Sequence, residues 1–377
     1  MNLLKSIILL VACFLSGVAL AQEPQTLQHM SDKSNDLQHI LDKSVDNKKV
    51  FGASFAIKHH DEIWRGVSGN IETGQPYFIA STTKLFTSAI VFNLHSKDKL
   101  SLDDKIAKHL PDSMLAGLWA HKGQDHSADI TIKQLLSHTS GLPDYFQGKN
   151  DDGVSLEDEI TGGNDQSWTV DEAVERGKKM KPRFAPGTKG KAHYSDVNYQ
   201  LLGKIIEVVT NQTYAENCQE LIFEPLNLKS TYVYTDPKDS TPRTLYYKND
   251  KLMIPKAMSS FGPDGGIVST TDDMLVFIEA FFTGKLFPEA YLDTLKKWNK
   301  IFFPLESGTG IHRFKLPWFF DPMGRMPELI GHSGLSGALA FYAPKENLFV
   351  VGTVNQVAYP SKSFNTMAKL IQKTLKK

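Results

Sequence analysis

Between Thr82 and Leu94 apolar residues fall on nearly every side of a helical wheel: Leu85, Phe86, Ala89, Ile90, Val91, Phe92 and Leu94. A surface helix carries one apolar stripe, whereas a helix that is apolar all round is buried. This helix therefore runs through the centre of the fold, and the rest of the chain must enclose it. At 377 residues the chain is long enough to do so as one large domain or two intertwined ones.

What flanks the central helix decides the fold class. Before it, Val50 to Ile57 and Glu62 to Val67 read as two strands joined at His59-His60-Asp61, an antiparallel hairpin. A helix over residues 36–47 precedes them, and residues 22–36 read as a loose polar tail. After it come helical stretches opening at Leu100-Ser101-Leu102-Asp103-Asp104 and spanning Ile130 to His138, Val170 to Lys179 and Asn198 to Val209. Residues 146–168, rich in Gly, Asp and Asn, read as an exposed loop. Beyond about residue 230 short strands return at Thr231 to Tyr234, Thr244 to Lys248 and Ile311 to Phe314. Three more follow at Glu328 to His332, Ala338 to Tyr342 and Leu348 to Val354. A helix from Asp272 to Thr283 lies among them, and a basic amphipathic helix from Ser361 to Leu375 closes the chain. Strands at both ends and helices between them predict an α+β fold. One antiparallel sheet is built from both chain ends (about 36–80 and 231–377) and flanked by helices, with an all-helical subdomain (about 81–230) inserted.

The first 21 residues have a different character. Lys5 is followed by a nearly continuous apolar run from Ser6 to Leu20, then by Ala19-Leu20-Ala21 and polar Gln22-Glu23-Pro24. That order predicts a cleaved export signal, with residues 22–377 as the mature chain and a periplasmic or secreted location. Leu10-Val11-Ala12-Cys13 offers a second, lesser route, lipoprotein anchoring at Cys13. The apolar run is short for a membrane span, and no transmembrane segment is expected in the mature chain. Lys+Arg and Asp+Glu are both 42, so nothing points to nucleic acid as a partner. With Cys13 removed, Cys218 is the only cysteine and reads as a buried small side chain. His59-His60 and His121/His126 lack the spacing of metal ligands, and no glycine loop fits a nucleotide, so neither a metal nor another cofactor is expected.

Three places carry chemistry. At the mouth of the central helix, Ser81-Thr82-Thr83-Lys84 sets a hydroxyl and an amine three residues apart, on one helical face. The unpaired N–H groups and positive dipole end of the helix lie beside the serine. A nucleophile for acyl transfer needs such a neighbour and such a field. The spacing alone is cheap: Ser96-Lys97-Asp98-Lys99 repeats it in a charged stretch that reads as solvated surface. Tyr194-Ser195-Asp196 follows the Pro186-Gly187 turn and opens a helix. His332-Ser333-Gly334 ends a strand that starts at Leu329-Ile330. Taken singly, Ser81 reads as a helix cap, Tyr194 as a packed aromatic and His332 as a core histidine. Their order and separations outweigh those readings.

Ser-x-x-Lys, then Tyr-x-Asn, then Lys/His-x-Gly resembles the signature of serine β-lactamases and penicillin-binding proteins. The tyrosine form of the second element resembles class C β-lactamases and the related DD-peptidases and esterases. Gln134 to Pro143, Tyr199 to Gly203 and Gly265 to Thr270 look like that family's supporting stretches, so the resemblance covers almost the whole mature chain. It implies that Ser81 is the acylated nucleophile and that Lys84 and Tyr194 are the pair that removes its proton. It implies an oxyanion hole from the N–H groups of Ser81 and Leu335, and a substrate-binding wall from Asp196, His332, Ser333 and Gly334. Tyr194 is then placed to activate the deacylating water. A free lysine or tyrosine, with a pKa of about 10.4 or 10, is a weak base at neutral pH. Burial or a neighbouring charge has to lower one of them, and which one stays open.

Two positions depart from the pattern. Asp196 stands where asparagine is usual; an ionised carboxylate accepts hydrogen bonds but cannot donate to an amide carbonyl. It is suited instead to a substrate amine, or to holding Lys84. His332 stands where β-lactamases have lysine, and histidine is mostly neutral near pH 7. The expected activity is therefore DD-peptidase-like or esterase-like cleavage of an amide or ester, ahead of β-lactam hydrolysis. The reading from another class is a non-catalytic binder of cell-wall peptide. Partners in each case are a small-molecule or peptide substrate: a cell-wall peptide, an ester or a β-lactam. Trp318-Phe319-Phe320 is a candidate wall for an apolar acyl pocket.

Overall fold

The computed structural model describes residues 29–316 and 324–376. The stretch expected to be an export signal, Cys13 and Trp318-Phe319-Phe320 lie outside them. An eight-stranded, wholly antiparallel sheet forms the backbone of the fold. In chain order its strands are β1 (Gly52–His59), β2 (Glu62–Gly69), β3 (Asn299–Phe302), β4 (Leu305–Ser307), β5 (His312–Phe314), β6 (Leu329–Ser333), β7 (Ala338–Ala343) and β8 (Leu348–Thr353). In space they run β3-β4-β5-β6-β7-β8-β1-β2. The early hairpin thus joins the late strands edge to edge, with Ser54 facing Thr353 across β1 and β8.

Side chains alternate across this sheet, so each central strand feeds two cores. Phe55, Ile57, Leu339, Phe341 and Val350 face one side. There α1 (Met30–Ser44) brings Leu37 and Leu41, and the last helix brings Met367, Leu370 and Ile371. Ala56, Ala340 and Val351 face the other, larger core. Its centre is α2 (Thr83–Ser96), in which every residue from Thr83 to Phe92 is buried, as its all-round apolar pattern requires. Two of the buried hydroxyls of α2 are satisfied by backbone carbonyls. Thr87 Oγ1 donates to Pro263 O at 2.6 Å and Ser88 Oγ donates to Lys84 O at 2.7 Å. Helix α3 (Asp196–Thr210) packs along α2 and stops at Asn211 in the left-handed conformation, φ 58°. Helix α4 (Thr271–Phe282) lies between α2 and the sheet, with Phe277 stacked on Phe86. Helix α5 (Pro360–Leu375) closes the chain.

The sheet from both chain ends and the flanking helices match expectation, with differences in detail. Helix α1 begins at Met30, inside the stretch expected to be a loose tail. Its polar start is fixed by docking: Lys33 Nζ donates to the carbonyls of Thr374 and Lys376 at 2.8 and 2.7 Å, at the end of α5. The helix expected to open at Leu100 is a turn. Asp104 Oδ2 accepts the Ser101 N–H at 2.9 Å, which offers the backbone an alternative to helix. Within the expected 146–168 loop, Leu156–Thr161 is a helix with a capping box at Ser155, and Phe146, Leu156 and Ile160 are buried. Strands β3, at the sheet edge, and β4, beside it, were not anticipated; both are short and, with Lys300 and Glu306, show little apolar alternation. Lys97, Asp98 and Lys99 are exposed, and Cys218 is buried, as read. Among the described residues no helix is long and apolar enough to cross a membrane.

Candidate active site

Ser81 lies in a single tight turn, Ala80–Thr82, that leads directly into α2. Ala80 before it is left-handed, φ 46°, a conformation that costs a non-glycine residue free energy and recurs at functional turns. One helical turn later Lys84 is fully buried. Its Nζ stands 3.2 Å from Ser81 Oγ, 2.6 Å from the carbonyl of Asp264 and 2.6 Å from Asp196 Oδ1. The first two contacts are hydrogen bonds donated by the ammonium, and the third is an ion pair.

Tyr194 reaches the same serine from the opposite side, its hydroxyl donating to Ser81 Oγ at 2.8 Å. Its position is set by the entry to α3. Ser195 N donates to His138 Nδ1 at 3.2 Å and Ser195 Oγ donates to Pro143 O at 2.7 Å. The His138 ring stacks on Tyr194 with centroids 4.7 Å apart. His138 is thus both a hydrogen-bonding residue of its loop and a platform for Tyr194. The Tyr194 hydroxyl titrates well above the ordinary tyrosine range, because burial and then the Asp196 charge both disfavour a phenolate. Of the two candidate bases left open, Tyr194 is the one whose deprotonation its surroundings disfavour.

Three carboxyl groups surround this one buried cation. Asp196 pairs with it. Asp144 Oδ1 accepts the N–H of Asp196 at 3.0 Å, capping α3 from outside. Asp264 Oδ2 accepts from Tyr145 Oη at 2.9 Å and Gln200 Nε2 at 2.8 Å. Burial and then the Asp196 charge push Asp144 up to about 7, and push Asp264 well above the usual carboxylate range. Asp144, Asp264 and Gln200 were not anticipated as site residues. The available signal was weak: Asp144 follows Gly141-Leu142-Pro143, and Asp264 sits between Pro263 and Gly265-Gly266.

The third wall is the end of β6. Ser333, Gly334 and Leu335 pass so close to the serine turn that a Cβ on Gly334 would fall 2.4 Å from Ile79 O and 3.1 Å from Ser81 N. His332 beside them is buried and donates from Nδ1 to Ser333 O at 2.8 Å. Burial first, and then the neighbouring charges of His312 and Lys84, hold it well below the usual histidine range. His312, on β5, was also missed; its ring stacks on His332 at 4.1 Å. Ser81, Tyr194, Asp196, His332, Ser333, Gly334 and Leu335 line one cavity of about 370 Å³, with Lys84 beneath Ser81. Its far side is apolar: Phe146, Ile160, Leu252, Ile254, Met258 and Phe261. Among the described residues no group of three or more His, Cys, Asp or Glu is arranged to hold a metal.

A model of the beta-lactamase family matches residues 37–375. The chain belongs to that family. Protein flp of Staphylococcus aureus (strain MW2) is 27% identical over 286 residues, 74% of this chain and 52% of that protein. The chain thus spans about half the length of the flp proteins it matches. The D-amino acid amidase of Ochrobactrum anthropi SV3, solved with L-phenylalanine amide, superposes with a TM-score of 0.75 at 23% identity, covering 91% of this chain and 98% of that one. A D-stereospecific amidohydrolase from Streptomyces sp. gives 0.74 at 24% identity, covering 88% and 97%. These two share the mixed α/β fold with its large antiparallel sheet.

Proposed function

We propose that this beta-lactamase-family protein is a serine hydrolase that cleaves an ester or amide through a covalent acyl-enzyme on Ser81. The observation that carries this reading is the convergence of the Tyr194 hydroxyl and the Lys84 amine on Ser81 Oγ, at 2.8 and 3.2 Å. As an ammonium, Lys84 has no lone pair for the serine proton. It gains one by passing a proton to Asp196 across 2.6 Å. Ser81 then loses its proton to Lys84 as Oγ attacks the carbonyl carbon. The oxyanion is received by the N–H groups of Ser81 and Leu335, which the close approach of Gly334 keeps side by side. Tyr194, kept protonated by burial and by Asp196, is the donor to the leaving group. Water then releases the acyl group, with Tyr194 beside it.

The apolar far wall favours an apolar acyl group. With its charge engaged by Lys84 and no hydrogen to donate, Asp196 gives little to the side-chain amide of a β-lactam, which ranks β-lactam hydrolysis below simple ester or amide cleavage. The leader of residues 1–21 supports export; N-terminal sequencing of the secreted or periplasmic protein should begin at Gln22.

The test is incubation of the wild type and Ser81→Ala with an activated ester, a chromogenic cephalosporin and a D-Ala-D-Ala peptide, followed by mass spectrometry. Turnover of the ester and an acyl adduct on the Ser81 peptide, both lost in Ser81→Ala, are expected. Absence of turnover and of adduct with all three would overturn the hydrolase reading in favour of a binding protein.

A further inference from the structure

His312 and His332 present a pair of imidazoles to the end of the cavity beside Tyr194. Their rings stack at 4.1 Å and 25°, and each residue is 2% exposed. Their centroids lie 6.0 and 6.5 Å from that of Tyr194. The tautomer of His332 follows from its partner: Ser333 O can only accept, so Nδ1 carries the hydrogen and Nε2 is a bare lone pair. That Nε2 is buried and has no hydrogen-bond partner, and neither ring nitrogen of His312 has one. Both residues line the cavity, so a ligand or an ordered water there can meet these atoms.

The same region lacks a cation. No described residue lining the cavity is a lysine or arginine, whereas Asp196 and Asp264 both line it. Lys84, beneath Ser81, is engaged by Asp196 and by the Asp264 carbonyl. Burial and the Lys84 charge hold both imidazoles neutral, His312 down at about 3. A carboxylate placed here would lose its hydration and meet lone pairs and negative charge.

Resting on the hydrolase reading above, we infer that the leaving group of the substrate is uncharged, an amine or alcohol fragment without a carboxylate, and that one of its N–H or O–H groups donates to a bare nitrogen of the His312–His332 pair. Tyr194 is the donor to the leaving group, so this end of the cavity is where that group sits. In the step itself Ser81 Oγ bonds to the carbonyl carbon and the bond from that carbon to the leaving nitrogen or oxygen breaks. The proton Ser81 gives up is balanced by the one the leaving group gains. A peptide ending in a free carboxylate is then a poor substrate, and its carboxamide or a simple ester a good one.

The phenylacetyl esters of glycolic acid and of glycolamide share an acyl group and differ in the leaving group by one charge. After correction for their hydroxide-catalysed rates, kcat/KM is expected to be at least tenfold higher for the glycolamide ester. In His332→Lys, which adds a cation, the ratio should narrow or invert. Equal rates, or a preference for the glycolate ester in the wild type, would overturn the inference. Equilibrium binding of the two esters to Ser81→Ala provides the independent readout. If neither ester is turned over, tighter binding of the glycolamide ester still supports the uncharged-group preference and equal or weaker binding overturns it, while the hydrolase reading is decided by the activated ester, cephalosporin and peptide above.

Discussion

Lys84 Nζ and Asp196 Oδ1 are 2.6 Å apart, and both residues are buried. Removing one partner of a buried pair leaves an uncompensated charge, which costs about 3 kcal/mol or more. Asp196→Asn keeps an acceptor for Lys84 but removes the charge and the proton acceptor. It should lower stability to urea at pH 7.5 by about 3 kcal/mol and slow acylation by an activated ester more than tenfold, while tightening the binding of a cephalosporin, whose amide gains a donor. Unchanged ester acylation would show that Asp196 takes no part in activating Ser81.

How much of this site could be read from the chain depends on distance along it. Ser81 and Lys84 are three residues apart in one helix, so their approach is a local consequence of helical spacing. Tyr194 and His332 were legible through their order relative to that pair. Asp144, Asp264 and His312 were not, because each is a lone polar residue in a loop or short strand. What makes them important is burial next to Asp196 or His332, a property of the assembled fold. The same holds for the start of α1, whose polar sequence becomes helical only because Lys33 finds the carbonyls at the end of α5.

Gly334 allows β6 to lie against the serine turn. A methyl group there would fall 2.4 Å from Ile79 O and 3.1 Å from Ser81 N, driving apart the strand and the turn that carry the proposed oxyanion donors. Gly334→Ala should therefore retain the far-UV circular dichroism of the wild type and lose on the order of 100-fold in kcat for ester hydrolysis. A variant with wild-type kcat would remove the N–H groups of Ser81 and Leu335 from the proposed role.

Phe261 separates the acyl end of the cavity from the aromatic cluster behind it, packing edge-on to Phe146 at 5.1 Å and to Trp168 at 5.0 Å. Phe261→Ala should deepen the pocket and shift preference toward longer acyl chains. The kcat/KM ratio of p-nitrophenyl octanoate to acetate is expected to rise about tenfold, since each buried methylene contributes ~0.8 kcal/mol. Stability should fall by roughly 3 kcal/mol from the lost packing. An unchanged chain-length profile would mean that the acyl group leaves the cavity by another side.

His312 makes the fold sensitive to acid in a predictable direction. Its folded-state pKa is about 3, set by burial and by the Lys84 charge, against 6.5 for a free histidine. Between those values the unfolded chain binds a proton that the folded chain does not, so stability rises with pH across that window and falls as pH drops through it. At about 1.4 kcal/mol for each tenfold difference in proton affinity, the loss from this group alone reaches at most about 5 kcal/mol near pH 3. Asp144, raised to about 7, acts in the opposite sense over pH 4 to 7 and is common to both proteins compared. His312→Phe keeps a ring to stack on His332 and cannot titrate. Urea denaturation at pH 7.5, 6, 5 and 4 should give a nearly constant difference from wild type above pH 6.5, then a steady shift in favour of the variant at lower pH. Parallel stability curves down to pH 4 would mean that His312 takes up its proton in the folded protein as readily as in the unfolded one, and that its ring is not held neutral beside Lys84.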